Sequence, residues 1–321
     1  MVVIGRNEGE RLERCLKSLS AQARCVVYVD SGSSDQSVAL ARKSAGAVLE
    51  LDMSRPFTAA RARNEGFQKL CESWPSLEYV FFVDGDCEVV DGWLDKACRF
   101  LDEHPGVAVV WGIRRERYPS RSVYNLLCDM EWRDAPVGET KACGGDAVIR
   151  VQAFEQVKGY RADLICGEEP EMCVRLRQAG WRIWHVEDAM TVHDAAMVRF
   201  GQWWRRMIRG GFAYAQGAAL HGAPPERHRI FESRRVWLWG MGIPIAIGLL
   251  TLVFGWPALL LLLIYPLQVL RLTLRGTQPS ARENAWRALA LVAGKFPEAL
   301  GQAKFTFDRW RRAESKLIEY K

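Results

Sequence analysis

The sequence predicts an α/β fold, a mainly parallel sheet with helices on both faces, followed by C-terminal membrane helices. Three observations predict it. Short β-rich runs alternate with helical patterns through the first half of the chain, several of those runs end in clustered polar residues, and the 35 residues from 236 to 270 carry no charge. Strands alternating with helices pair in parallel, because each crossover helix returns the chain to the same edge of the sheet.

The elements follow in order. Val2–Ile4 reads as a strand, and the next helix shows an apolar face of Leu12, Cys15, Leu16 and Leu19 at i, i+3, i+4 and i+7. Cys25–Val29 is a second strand, with a helix over about 35–45 behind it. A helix near 58–70 leads into the strand Tyr79–Val83. Leu94, Ala97, Cys98 and Leu101 mark another helix before the strand Val107–Trp111. Residues 114–165 give no clear order beyond Gly144-Gly145 and a helix near 151–157. After Glu169 a helix is well signalled, with Pro170 in its first turn, acids crowding its start and Gly180 at its end.

Charge divides the chain. Residues 1–198 hold 25 Lys and Arg against 31 Asp and Glu, whereas 199–321 hold 19 against 7. The overall +6 is therefore no sign of a nucleic-acid partner; it comes from arginines flanking an apolar run, which is the pattern of an anionic membrane surface. The run is too long for one span of about 20 residues, and Gly255-Trp256-Pro257 signals a turn within it. Two short spans place Arg227, Arg229, Arg234 and Arg235 on the same side as Arg271, Arg275, Arg282 and Arg287, the cytosolic side. The expected organisation is a catalytic domain over 1–200, a basic interfacial helix or linker over 201–235, a transmembrane or re-entrant hairpin over 236–272 and a basic amphipathic tail over 273–321. All nine cysteines fall in the acidic part without a CxxC pair, the pattern of reduced core thiols in the cytosol.

Asp84-Gly85-Asp86 is the strongest local signal. Carboxylates at i and i+2 at the end of a buried strand point the same way, and a divalent cation bridging them to phosphate oxygens explains them best. Polar groups at two further strand ends accompany them: Ile4-Gly5-Arg6-Asn7-Glu8 and Val29-Asp30-Ser31-Gly32-Ser33-Ser34-Asp35. Ala62-Arg63-Asn64-Glu65-Gly66 adds a guanidinium.

Taken together, and in this order, these stretches resemble family 2 of the glycosyltransferases, whose nucleotide-binding, Rossmann-like fold is called GT-A. The resemblance covers residues 1 to about 200. It implies a nucleotide-sugar donor and a glycan or lipid-linked acceptor. Asn7, Glu8 and the Asp30 turn would line the nucleoside pocket, and Arg63 would face the diphosphate. Asp84 would approach the ribose or a metal-bound water, and Asp86 would bind Mg2+ or Mn2+. Gly167-Glu168-Glu169 looks like the family's Gly-Glu-Asp segment, with Glu169 as general base and Glu168 its substitute. His193 resembles the histidine that completes the metal site, and Asp146 the residue bonding sugar or acceptor. Asp30-Ser31 departs from the usual Asp-Asp, which puts recognition of the donor base in doubt. Gln202-Trp203-Trp204-Arg205-Arg206 resembles the Gln-x-x-Arg-Trp motif of processive synthases but ends in Arg, and fits an interfacial anchor equally well. The implied enzyme is a metal-dependent inverting transferase on the cytoplasmic membrane. A processive synthase subunit and a non-catalytic membrane scaffold are the alternatives.

Overall fold

A computed structural model of the chain describes residues 1–312 apart from 21, 23 and 24; the end of the expected tail, 313–321, lies outside the described residues. The chain forms two compact units, Met1–Tyr118 with Glu131–Ala195, and Pro119–Met130 with Ala196 onward.

The first unit is built on β1 (Val2–Gly5), α1 (Glu10–Ser20), β2 (Val27–Asp30), α2 (Ser37–Ser44), β3 (Ala47–Glu50), α3 (Ala59–Ser73), β4 (Tyr79–Asp84), β5 (Cys87–Val89), α4 (Trp93–Glu103) and β6 (Val107–Glu116). There follow α5 (Val123–Arg133), which crosses the boundary between units, and then β7 (Gly138–Thr140), β8 (Ala147–Arg150), α6 (Val151–Gln156), α7 (Glu168–Gln178) and β9 (Arg182–His193). Nine strands form one sheet in the order β3-β2-β1-β4-β8-β6-β9-β5, with β7 on β9.

Parallel pairing holds from β3 to β4, with β1 central: Val2 registers with Val27 on one side and Phe82 on the other. Beyond β4 the sheet is mixed. β8 runs antiparallel to both β4 and β6, β9 is parallel to β6, and β5 and β7 pair antiparallel with β9. These later strands escape a sequence reading because β5, β7 and β8 are only three or four residues long, too short to show a period.

Alternate residues of each strand serve opposite faces. Val2, Val27, Val29 and Phe82 join Leu70 and Phe154 in one core; Val3, Tyr28, Phe81 and Val83 join Leu12, Leu16 and Leu101 in the other. Helices therefore cover both faces. α3 starts where Thr58 accepts a hydrogen bond from the Arg61 amide at 3.0 Å, an N-cap that satisfies one free donor of the first turn. It lies so close to the sheet that a Cβ at Gly66 would stand 2.5 Å from Val2 and 2.6 Å from Val29.

The second unit is helical: α8 (Phe200–His221), α9 (Ile230–Trp237), α10 (Ile243–Phe254), α11 (Ile264–Leu274), α12 (Ala281–Ala293) and α13 (Lys295–Trp310). α8 and α13 touch backbone to backbone: a Cβ at Gly211 would collide with the Glu298 carbonyl, and one at Gly301 with that of Ile208. Two stretches, Ile230–Phe254 and Trp256–Leu274, are long and apolar enough to cross a membrane. They break at Gly255, whose φ of 75° suits glycine. Their apolar side chains stand uncovered, Leu252 at 84% and Trp256 at 74% exposure.

Candidate active site

The residues expected to bind donor or metal or to act as base all lie in the first unit, several of them where β1, β2 and β4 end, whereas Gln202–Arg206 belongs to the second. The loops after β1 and β2 lock together. Asn7, held at φ 56°, accepts from the Ser34 amide at 2.8 Å and donates its own amide to Ser33 Oγ at 2.9 Å. Glu8 donates its amide to Ser37 Oγ at 3.1 Å and pairs with Arg11 at 2.7 Å. Asp30 is buried, and its two oxygens accept from the Tyr28 hydroxyl, the Ser33 hydroxyl and the amides of Gly32 and Ser33. Four donors fill the four acceptor positions of a carboxylate. Asp30 therefore shapes this loop, with Ser31 buried beside it.

β4 delivers Asp84 to its end, and β5 begins just past Asp86. Cys87 of β5 registers with His193 of β9, so the antiparallel ladder sets the imidazole beside Asp86, with Nε2 3.1 Å from Oδ1. Burial, with Arg114 nearby, pushes His193 down to about 4. The imidazole is neutral at physiological pH, the form that ligates metals.

Asp146, expected from the sequence to bond sugar or acceptor, lies behind the backbone of Asp84. It is fully buried, and the chain itself occupies its oxygens: the Asp84 amide at 3.1 Å, the Thr191 hydroxyl at 2.8 Å and Arg114 Nη2 at 2.7 Å. Its role is to hold the backbone of Asp84 and the guanidinium of Arg114. Arg114 also lies over the Trp132 ring at 5.4 Å, and Trp132 meets His193 edge to face at 4.6 Å. Neither residue was legible as part of the site. The alternation of β6 beyond Trp111, through Gly112 to Arg114, was the available signal for the first; nothing local marks the second.

Arg63 gathers the rest. Nη1 donates to Glu168 at 2.8 Å and Glu169 at 3.0 Å, and Nη2 donates to Asp84 at 2.9 Å. The guanidinium is engaged with three carboxylates, two of them set by the first turn of α7. Arg63 and Glu168 side chains are 3% and 5% exposed, whereas Asp84 and Glu169 keep 30% and 16% and form the open edge. Gly145 closes the ring from above: a Cβ there would stand 2.8 Å from Arg63, 3.1 Å from Asp84 and 3.3 Å from Glu169. Burial, and next the neighbouring Glu168, raise the Glu169 carboxyl to about 7 against the pull of Arg63.

Four carboxyl groups, Asp84, Asp146, Glu168 and Glu169, thus share two guanidiniums, Arg63 and Arg114, and a fifth, Asp86, stands beside the neutral His193. Buried carboxylates in such excess repel one another unless a cation joins them. The Asp86–His193 pair, with an orphaned Nδ1 on the same ring, fits a divalent ion with oxygen and nitrogen donors.

Comparison with known proteins bears on the family and the fold. The model of Glycosyl transferase family 2 matches residues 1–158. The succinoglycan biosynthesis protein ExoA of Rhizobium meliloti is 24% identical over 260 residues, covering 78% of this chain and 74% of its own length. The O-antigen chain rhamnosyltransferase RfbN of Salmonella typhimurium is 22% identical over 184 residues, 53% of this chain and 56% of that protein. Among solved structures, a mannosyltransferase of Pyrobaculum calidifontis in complex with GDP-Man and Mn2+ superposes with a TM-score of 0.64 at 20% identity, covering 96% of this chain and 87% of the other. The shared fold is GT-A.

Proposed function

Since the chain belongs to glycosyltransferase family 2 through residues 1–158, we propose that it transfers a sugar from a nucleotide-sugar donor with inversion, in a reaction that depends on a divalent cation. The observation that carries this reading is the meeting of Glu169 and Asp84 on one guanidinium, beside the Asp86–His193 pair. Residues 1–200 are the catalytic domain.

Glu169 is the base. Its carboxyl, on the open edge and poised at about 7, removes the proton from an acceptor hydroxyl as that oxygen attacks the anomeric carbon. Arg63 is a positioning residue: it fixes Glu169 and Asp84 relative to each other, and Glu168, deeper and paired with Arg63 Nη1, anchors it. Asn7 and Glu8, with the serine-rich loop that Asp30 organises, wall the nucleoside side. Asp86 and His193, with Asp84 beside them, would hold Mg2+ or Mn2+, which when bound would offset charge on the departing diphosphate. Trp132 and Arg114 limit water on the His193 side.

The apolar hairpin, with arginines before and after it, holds the enzyme in the cytoplasmic membrane with its catalytic domain in the cytosol. That placement, and relatives named for exopolysaccharide and O-antigen synthesis, favour an acceptor that is lipid-linked or part of a growing polysaccharide. The test is Asp86→Ala assayed on a panel of nucleotide sugars with and without Mn2+. Metal-stimulated turnover should vanish in the variant; turnover that persists at the normal rate would overturn the assignment.

A further inference from the structure

The Asp86–His193 pair has a third donor within reach that the reaction above does not use. Cys87 follows Asp86 and stands directly opposite His193 in the β5–β9 ladder. Opposed residues of an antiparallel pair carry their side chains on the same face. A carboxylate oxygen of Asp86, Sγ of Cys87 and a ring nitrogen of His193 accordingly lie within 4.8 Å of one another, all buried. The thiol points at the carboxylate, Sγ 3.9 Å from Asp86 Oδ1, while His193 Nε2 approaches the same oxygen at 3.1 Å. The other ring nitrogen, Nδ1, is buried without a hydrogen-bond partner, so among the described residues the hydrogen-bonding contact of this imidazole is the one to Asp86. Donors bound to one ion at about 2.0–2.3 Å stand about 3–4.5 Å apart, and these spacings need only small side-chain rotations to meet that condition.

We propose that Cys87 is the third protein ligand of the cation held by Asp86 and His193, and that this oxygen, nitrogen and sulfur set selects a borderline transition-metal ion over Mg2+. The inference rests on the cation reading of the site. Mg2+ demands octahedral oxygen ligation and sheds water reluctantly, whereas imidazole and thiolate favour Mn2+, Co2+ and Zn2+ in rising order. Coordination breaks the S–H bond, forms a metal–sulfur bond and releases one proton to water; nothing is oxidised or reduced.

The experiment uses the full chain in detergent micelles with Co2+ as a probe, read by absorption. The wild type should show visible d–d bands together with a near-ultraviolet sulfur-to-cobalt charge-transfer band. Cys87→Ser should keep the visible bands, which report a folded and loaded site, and lose the charge-transfer band; Cys87→Ala provides a second variant of the same test. His193→Gln should abolish both, which separates this thiol from the other cysteines. Displacement of Co2+ by Mn2+ and by Mg2+ gives the selectivity, and the Mn2+ over Mg2+ preference should fall at least about tenfold in Cys87→Ser. Visible bands that depend on His193 but come without the charge-transfer band would overturn the proposal and leave the cation site standing. Cobalt binding that ignores both Asp86→Asn and His193→Gln would overturn the cation reading and this inference with it.

Discussion

Glu169 stands in the first turn of α7 with its carboxyl raised to about 7 by burial and by Glu168. Only the ionised form can take a proton. Below pH 7 the carboxyl is protonated and transfer is slow; above it the base is free. The expected profile of kcat rises through about 7 and then levels off, as measured in buffered single-substrate kinetics. Glu169→Gln should flatten that limb and lower kcat by about 10²–10⁴-fold, while nucleoside diphosphate binding, followed by titration calorimetry, stays within about twofold of wild type because the base does not meet the nucleotide. Gly145 gives a second test. A methyl there would press on Arg63 and Asp84 at 2.8 and 3.1 Å, and neither can yield without breaking ion pairs. Gly145→Ala should cost about a hundredfold in kcat through misplacement of the carboxylates, with a fall in melting temperature smaller than that of an Arg63 variant because the ion pairs are strained and not removed.

At the scale of elements, Arg63 matters because it ties three of them: α3 supplies the guanidinium, β4 supplies Asp84 and α7 supplies Glu168 and Glu169. Arg63→Leu leaves Glu168 buried without its cation, a loss of about 3–5 kcal/mol by the usual cost of breaking one side of a buried pair. Tryptophan fluorescence melts should show it as a drop of several degrees, and adding Glu168→Gln should recover part of that drop, since it removes the stranded charge. α1, α3, α4 and α7 were legible because each carries its own signal, an apolar stripe such as Leu12, Cys15, Leu16 and Leu19, or a glycine stop such as Gly180. β9 was not legible. Its twelve residues include Glu187 and Asp188, and its register shifts against β6 break any simple alternation. His193 could be suspected from its type but not placed, because only the pairing of β9 with β5 sets it beside Asp86.

For the molecule as a whole, the charge asymmetry becomes a testable partition. The apolar hairpin exposes leucines that water would not tolerate in such number, Leu252, Leu259, Leu260, Leu261 and Leu263 among them. The chain should remain in the membrane pellet after high-salt and alkaline carbonate washes, and Ile245→Lys with Leu267→Lys, both exposed near the middle of their spans, should move it to the supernatant, each lysine costing about 2.5–3.5 kcal/mol at mid-membrane. From residue order and period alone came the α/β architecture, the apolar break at Gly255-Trp256-Pro257 and the residue types of the site, for these depend on local pattern and on strand ends that any parallel sheet exposes. The partners of those residues did not: Asp30 turns inward to its loop, Asp146 supports Asp84, Arg63 binds carboxylates, and Arg114, Trp132 and Cys87 join from positions with no motif. The pairings of Asp146, Arg63, Arg114 and Trp132 join residues tens of positions apart, and they are decided by strand register and burial, which exist only once the chain has packed.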